Sequence, residues 1–211
     1  MTVASDKKRR RPLFRPGNFL VYALQLWLAY YVYTGIAIGD TLRTAWGIFA
    51  LLLTFVPMLL KIWRGVEFFW PVKFMIALPL LVHITGGIGQ LYFTWYPFYD
   101  KLAHLVAAAS VAFLVYVVLL YLSSRVIFCR SRSVILILIL LATMLAGSAW
   151  EVAEQYIDLI YNSTYYLSVI DSLLDQAFNL IGAGAVAILA DRQLSSGTIE
   201  EISQIYFRKP G

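Results

Sequence analysis

Charged residues are scarce in this sequence: they make up 14% of the 211 residues, whereas a typical soluble domain carries about 25%. Hydrophobic residues reach 61%, which excludes both a water-soluble globule and an intrinsically disordered chain. The single cysteine, Cys129, cannot form an internal disulfide, so the fold does not depend on an oxidising compartment.

Six apolar runs are each long enough to form a helix across a bilayer core of about 30 Å. They cover residues 18–38, 44–62, 74–95, 102–122, 133–158 and 170–190. We therefore predict an all-α, multi-pass membrane protein, with a six-helix domain at 17–190 between a basic tail at 1–16 and a second tail at 191–211. The second tail is interpreted either as a short interfacial helix or as a solvated segment.

Lysine and arginine lie almost entirely at one end of the predicted helices. All of them except Arg43 and Lys101 fall in the two tails or in the second and fourth loops. Because cytoplasmic loops carry the excess of basic residues, both termini and Cys129 are predicted to lie on the cytoplasmic side of a cell membrane. The loop around Asn162 is predicted to lie outside. The basic run at 7–11 is part of this topology signal, and no nucleic-acid partner is expected.

Ionisable side chains inside the apolar runs are the main functional signal, because a carboxylate at the centre of a membrane helix costs about 2.5 to 3.5 kcal/mol. Those on one predicted helix are three or four residues apart and therefore share a face. Gln90 lies seven residues after His83, about two helical turns, and is predicted to share a face with it. With alternating helix directions, the groups converge in a cavity at the extracytoplasmic end. They are His83, Asp100, His104, Glu151, Glu154, Asp171, Asp175 and Asn179.

Positive charge is nearly absent from this end of the predicted bundle. Lys101 is interpreted as an interfacial anchor at the start of its helix, which leaves the acids to be balanced by shared protons or by a bound cation. Oxygen-rich ligand sets suit Mg²⁺, Mn²⁺ or Ca²⁺. We expect Glu154, Asp171 and Asp175 to be the ligands of such a divalent cation.

Three short motifs in this order resemble VanZ-like membrane proteins and their larger prokaryotic relatives, over residues 80–190. The motifs are Asp100-Lys101-x-x-His104, Glu151-x-x-Glu154 and Asp175-x-x-x-Asn179-x-x-Gly182. VanZ is associated with glycopeptide resistance at the cell envelope, and a wider kinship with base-exchange phosphatidylserine synthases is proposed. The resemblance therefore implies lipid head-group chemistry. This chain departs from the pattern by having Glu154 in place of the usual Gln and no Arg in 159–170, where the family has a natural phosphate partner.

These features lead to the hypothesis of a metal-assisted transferase or hydrolase that acts on the head group of a membrane lipid or polyprenyl phosphate in the outer half of the membrane. His104 is expected to be the general base and Glu151 to orient it or return the proton. His83, Asp100 and Asn179 are expected to bind substrate. A proton- or cation-coupled transporter and a non-catalytic scaffold remain as alternatives, and the enzyme is favoured because the cytoplasmic halves of the helices carry almost no polar residue.

Overall fold

The computed structural model describes residues 16–125, 131–161 and 168–208, which are almost entirely α-helical, as predicted. Cys129 and Asn162, on which the topology prediction depends, lie outside the described residues. Two short strands, β1 (Glu67–Phe68) and β2 (Phe207–Arg208), form an antiparallel pair. The described helices are α1 (Pro16–Ala37), α2 (Thr41–Leu53), α3 (Val56–Arg64), α4 (Trp70–Gly87), α5 (Leu91–Thr94), α6 (Phe98–Arg125), α7 (Arg132–Tyr161), α8 (Val169–Ser196) and α9 (Ile199–Tyr206).

The described residues contain five helices long and apolar enough to cross a membrane, namely α1, α4, α6, α7 and α8. The second predicted span is broken into α2 and α3, which meet at a bend of 40°, and the number of spans rises to six if this pair is one of them. Pro57 in the first turn of α3 cannot donate a backbone hydrogen bond across the break. The Thr54 hydroxyl instead donates to the carbonyl of Leu51 at 2.6 Å and accepts from the Gln25 amide of α1 at 3.0 Å.

The third predicted span also ends earlier than expected. α4 stops at Gly87, and Gln90 adopts a left-handed φ of 62° before the short helix α5. The Gln90 side chain donates to the carbonyl of Gly87 at 3.0 Å, so it stabilises the turn, and the prediction that it shares a helix face with His83 is wrong. The turn places the Tyr92 ring against Gly86, where any side chain would clash with it.

α6 is the central helix, since it packs against α4, α7, α8 and α9. α8 comes very close to it at Gly182, where an added Cβ would lie 2.5 Å from the carbonyl oxygen of Leu105. This close approach of two backbones needs the absence of a side chain. Because α6 and α8 start at the same end of the bundle, their first turns lie side by side where α4 and α7 end.

The C-terminal tail forms a helix at the opposite end. Thr198 and Glu201 form a capping box that starts α9. The hydroxyls of Tyr116 in α6 and Tyr206 in α9 both donate to Gln193 Oε1, at 3.1 and 2.8 Å. β2 follows α9 and pairs with β1, which lies between α3 and α4 in the sequence. The alternative of a solvated tail is therefore wrong for residues 199–208, which pack against the bundle.

Basic residues gather at this end of the molecule. Lys61 donates to Glu67 at 3.0 Å, a hydrogen bond that lowers the pKa of the Glu67 carboxyl, and Arg208 lies 3.9 Å from the same residue. Arg132 pairs with Asp191 near the end of α8. Because cytoplasmic loops carry an excess of positive charge, we expect this end to face the cytoplasm.

A membrane-impermeant maleimide is expected to leave Cys129 unlabelled in intact cells and to label it after permeabilisation. The reason is that Cys129 precedes Arg132, at the basic end of the bundle. As a control, Asn162→Cys in a Cys129→Ser background should be labelled in intact cells, because it follows α7 at the other end. Labelling of Cys129 from outside in intact cells would show that the proposed orientation is inverted.

Candidate functional site

Four helices bring polar side chains together at the end of the bundle opposite α9. α6 and α8 begin here, α7 ends here, and α4 passes close to them before its last turn. Ser168 caps α8 by accepting from the backbone N–H of Asp171 at 3.1 Å, which fixes where the helix starts. The polar side chains at this end are His83 from α4, Asp100, Lys101 and His104 from α6, Glu151 and Glu154 from α7, and Asp171, Asp175 and Asn179 from α8.

Lys101 is the centre of this cluster. It is only 7% exposed, and its Nζ donates to Asp100 Oδ2 at 3.0 Å, to Asp171 Oδ1 at 2.7 Å and to Asp175 Oδ1 at 2.6 Å. An ammonium has three donors, so all of them are used within the protein. The interpretation of Lys101 as an interfacial anchor is therefore wrong: the residue ties the first turns of α6 and α8 together.

The ammonium reduces the negative charge of the cluster without removing it. Among the described residues, the ion pairs of the cluster include no other lysine or arginine. Several carboxylates therefore share one fixed positive charge, and the remaining imbalance requires bound protons or a cation. The carboxylates are Asp100, Glu151, Glu154, Asp171 and Asp175.

His104 faces three carboxylates through a single ring nitrogen. Its Nε2 lies 3.6 Å from Asp175 Oδ1 and 3.8 Å from both Asp100 Oδ1 and Glu151 Oε1. These separations are longer than a hydrogen bond of about 2.7–3.2 Å, and the residue is only 6% exposed. His104 is therefore a buried imidazole whose Nε2 is directed at three carboxylates from three helices.

Glu151 and Glu154 are the two carboxylates of the cluster that are not hydrogen-bonded to Lys101 among the described residues. Glu151 Oε1 is buried and has no hydrogen-bond partner within the part of the chain that the structure describes. Trp150 Nε1 donates to Glu154 Oε1 at 2.8 Å and orients that carboxylate. One ligand atom each from His104, Glu151 and Glu154 lie within 4.8 Å of one another. This spacing fits ligands around an ion bound at about 2.0–2.6 Å.

The structure separates the three acids that the sequence analysis assigned to a cation. Glu154 belongs to the group just described, whereas Asp175 falls in a second group with Asp100 and His104, whose ligand atoms also lie within 4.8 Å. Asp171 belongs to neither group. Asp171 and Asp175 each give an oxygen to Lys101, so an ammonium lies where a metal ion was expected between them.

His83 and Asn179 lie on two sides of the same space. His83 Nδ1 is 3.1 Å from the Tyr92 hydroxyl, and its ring meets Trp150 edge to face with centroids 5.4 Å apart. Asn179 is 3% exposed, and its Nδ2 has no hydrogen-bond partner among the described residues. Gly147 on α7 makes room for it, because a Cβ there would lie 2.5 Å from Asn179 Nδ2.

A cavity of about 380 Å³ adjoins these groups, within the usual range of ligand pockets, about 300–1,000 Å³. His83, His104, Glu154 and Asn179 line its polar part. The rest of the wall is mainly apolar and comes from α2, α4, α6 and α7. The apolar residues include Trp46, Phe49, Leu53, Leu80, Ala103, Ala107, Val111 and Ala146. The cavity thus joins a hydrocarbon-like space to the ionisable cluster.

Residues 19–196 match the family described as Predicted membrane protein (DUF2238). The chain belongs to this family. The match covers most of α1 and all of α2 to α8, so it contains every residue of the candidate site, while α9 and β2 follow it. Comparison with curated proteins found no match, and comparison with solved structures found none.

In this member of the DUF2238 family, Lys101, Trp150 and Tyr92 have roles in the site that were not predicted from the sequence. For Lys101 a signal was present, since the excess of acids at this end called for a buried positive charge and Lys101 stands within the first motif. Helical spacing carries no such signal for Tyr92, which reaches His83 only because the chain turns at Gln90. Trp150 precedes Glu151, and its indole is directed to Glu154 by the one-turn spacing.

Proposed function

We propose that this protein is a cation-assisted enzyme that transfers or hydrolyses the head group of a membrane phospholipid or polyprenyl phosphate. The observation that carries the proposal is the cavity, whose wall is ionisable at one end and mainly apolar elsewhere. An amphiphilic substrate needs this combination, because its head must reach reactive groups while its hydrocarbon stays out of water. The motif order shared with VanZ-like proteins supports the same chemistry.

Glu151 and Glu154 are the proposed ligands of the divalent cation, Mg²⁺ or Mn²⁺ in the first instance. Such ions are often held by one or two carboxylates, with water and a substrate phosphate completing the coordination. A cation is needed for a phosphate to bind here, because the cluster is acidic and Lys101 has no free donor. It would supply the positive charge that an arginine before Asp175 supplies in the VanZ-like pattern.

His104 is the proposed general base, which takes a proton from the attacking water or alcohol. Asp175, 3.6 Å from His104 Nε2, would stabilise the resulting imidazolium. Asp171 and Asp175 also hold Lys101 in place, and we assign them to this positioning role instead of primary cation binding. Asn179 and His83, which line the cavity, would hydrogen-bond the substrate head group, with Asp100 completing that end of the site.

The enzyme is favoured over a transporter by the wall of the cavity away from the cluster. Among the described residues that line this part, Thr143 carries a hydroxyl, and it already donates to the carbonyl of Ile139 in its own helix at 2.7 Å. The neighbouring wall residues Val111 and Ala107 are apolar. A proton or ion path toward the basic end would need polar groups that this wall does not offer.

Purified protein stripped with EDTA is expected to gain thermal stability when MnCl₂ is added. Binding to the folded state alone contributes about 2.7 kcal/mol at a free ion concentration of about 100 times the dissociation constant, and each kcal/mol raises Tm by about 2–4 °C for a chain of this size. Glu151→Gln and Glu154→Gln should lose most of the gain. His104→Ala should keep more of the gain than either glutamine variant, because His104 is assigned to proton transfer.

The matched control for this experiment is Asp191→Asn. Asp191 is a carboxylate on α8 at the opposite end, paired with Arg132 at 2.5 Å, and its variant should keep the full gain from MnCl₂. Equal melting curves with EDTA and with MnCl₂ for the wild type would contradict the cation-assisted function. A gain that survives in both glutamine variants would place the ion elsewhere.

A further inference from the structure

The apolar part of the cavity is longer than head-group chemistry requires. On α6 its wall follows one helix face through Ala103, Ala107 and Val111, a rise of about 12 Å at 1.5 Å per residue. α2 covers the facing side with three large apolar side chains. These are Trp46, Phe49 and Leu53. The space therefore runs along the helices, away from the ionisable cluster.

We infer that this space holds one acyl chain of a membrane phospholipid, whose head group lies against His104 and Glu154. The inference rests on the proposed function for the head group and adds where the hydrocarbon binds. An apolar space is a poor site for water, which needs two to four polar partners. In a bilayer the hydrocarbon available to fill it is an acyl chain, and filling the space restores the van der Waals contacts that its apolar walls would lack if it were empty.

The length of the space indicates how much of the chain it holds. The apolar face of about 12 Å is less than half of a bilayer core of about 30 Å. Only the part of the acyl chain near the head group would be enclosed, and the rest would remain in the surrounding lipid. The site thus selects a lipid by its first methylenes and its head group, and not by its full chain length.

Small side chains on two facing helices create this space. Ala107 on α6 and Ala146 on α7 both line the cavity and are exposed, so a larger side chain at either position would occupy the volume assigned to the acyl chain. Ala185 on α8 is also exposed and lies outside the cavity lining. Ala107→Phe and Ala146→Phe are therefore blocking variants, and Ala185→Phe is their matched control.

The test is photo-crosslinking in proteoliposomes with phosphatidylglycerol that carries a diazirine in the upper part of one acyl chain. Adducts mapped by mass spectrometry should fall on both α6 and α7, around Ala107, Val111 and Thr143. These adducts should disappear in Ala107→Phe and persist in Ala185→Phe. Ala146→Phe blocks the same space from the other wall, so the test still holds if one blocking variant fails to fold.

Binding of the chain and the head-group reaction can fail separately. His104→Ala should keep the cavity adducts even where it abolishes turnover. Cavity adducts in a wild-type protein that shows no turnover would reject the proposed enzymatic function, while the binding site for the acyl chain would remain supported. Adducts that persist in both folded blocking variants would overturn the inference. The inference would also be overturned if a polyprenyl phosphate probe labelled these positions and the phospholipid probe did not.

Discussion

Replacing Lys101 with methionine is expected to cause a large loss of stability. The ammonium is buried and hydrogen-bonded to Asp100, Asp171 and Asp175, and its removal leaves three close carboxylates without a counter-charge. Removing one partner of a buried ion pair lowers the free energy of unfolding by about 3–5 kcal/mol. This corresponds to a fall in Tm of roughly 6–20 °C for a chain of this size. Thermal melting of the purified protein in detergent measures it.

Two further variants make this prediction specific. Asp175→Asn added to Lys101→Met should recover part of the loss, because it removes one of the uncompensated charges. Lys61→Met removes an ammonium whose partner, Glu67, lies 3.0 Å away on the exposed surface, and it should cost no more than about 1 kcal/mol. Equal melting temperatures for Lys101→Met and Lys61→Met would show that Lys101 does not hold α6 and α8 together.

His104→Ala is expected to lower turnover by about 10²–10⁴-fold, the usual contribution of general acid–base catalysis, and Glu151→Gln is also expected to lower turnover. The two losses have different causes: His104→Ala removes the base, whereas Glu151→Gln removes a charged cation ligand. Excess MnCl₂ should therefore restore part of the activity of Glu151→Gln and none of that of His104→Ala. The measurement is head-group release or exchange in proteoliposomes of mixed phospholipids or polyprenyl phosphates.

Folding must be preserved for this comparison to be informative. Both variants should elute and melt as folded protein, and Asp191→Asn, which changes a carboxylate at the basic end of α8, should retain wild-type turnover. Wild-type turnover in both folded site variants would reject the assigned roles of His104 and Glu151. Loss of turnover in Asp191→Asn as well would mean that the effect is not local to the cluster.

Much of the fold follows from apolar run length, and the exceptions have local causes. Long apolar runs predict α1, α6, α7 and α8 because a bilayer favours helices of about 20 residues. The break at Thr54 and the stop at Gly87 depend on side-chain hydrogen bonds and a left-handed residue, Gln90. An average over an apolar run cannot contain this information, so two spans were predicted as longer continuous helices.

For the candidate site, helical spacing predicts which side chains share a face but not which faces touch. Asp171 and Asp175 are one turn apart, and the structure places them together against α6. Their partner Lys101 is 70 and 74 residues away in sequence, and its position next to Asp100 at a helix start is also typical of a surface anchor. The hydrogen bonds of Lys101 to Asp171 and Asp175, which need α6 and α8 to be packed together, distinguish the two interpretations.

Lipid mass spectrometry of sealed proteoliposomes tests the central claim most directly. Wild-type protein with MnCl₂ should convert one phospholipid or polyprenyl phosphate into a product with the same hydrocarbon and a different head group, and EDTA should stop the conversion. His104→Ala should leave the lipids unchanged. An unchanged lipid pool with the wild type, together with a proton or cation flux that Glu151→Gln abolishes, would contradict the enzyme and identify a transporter.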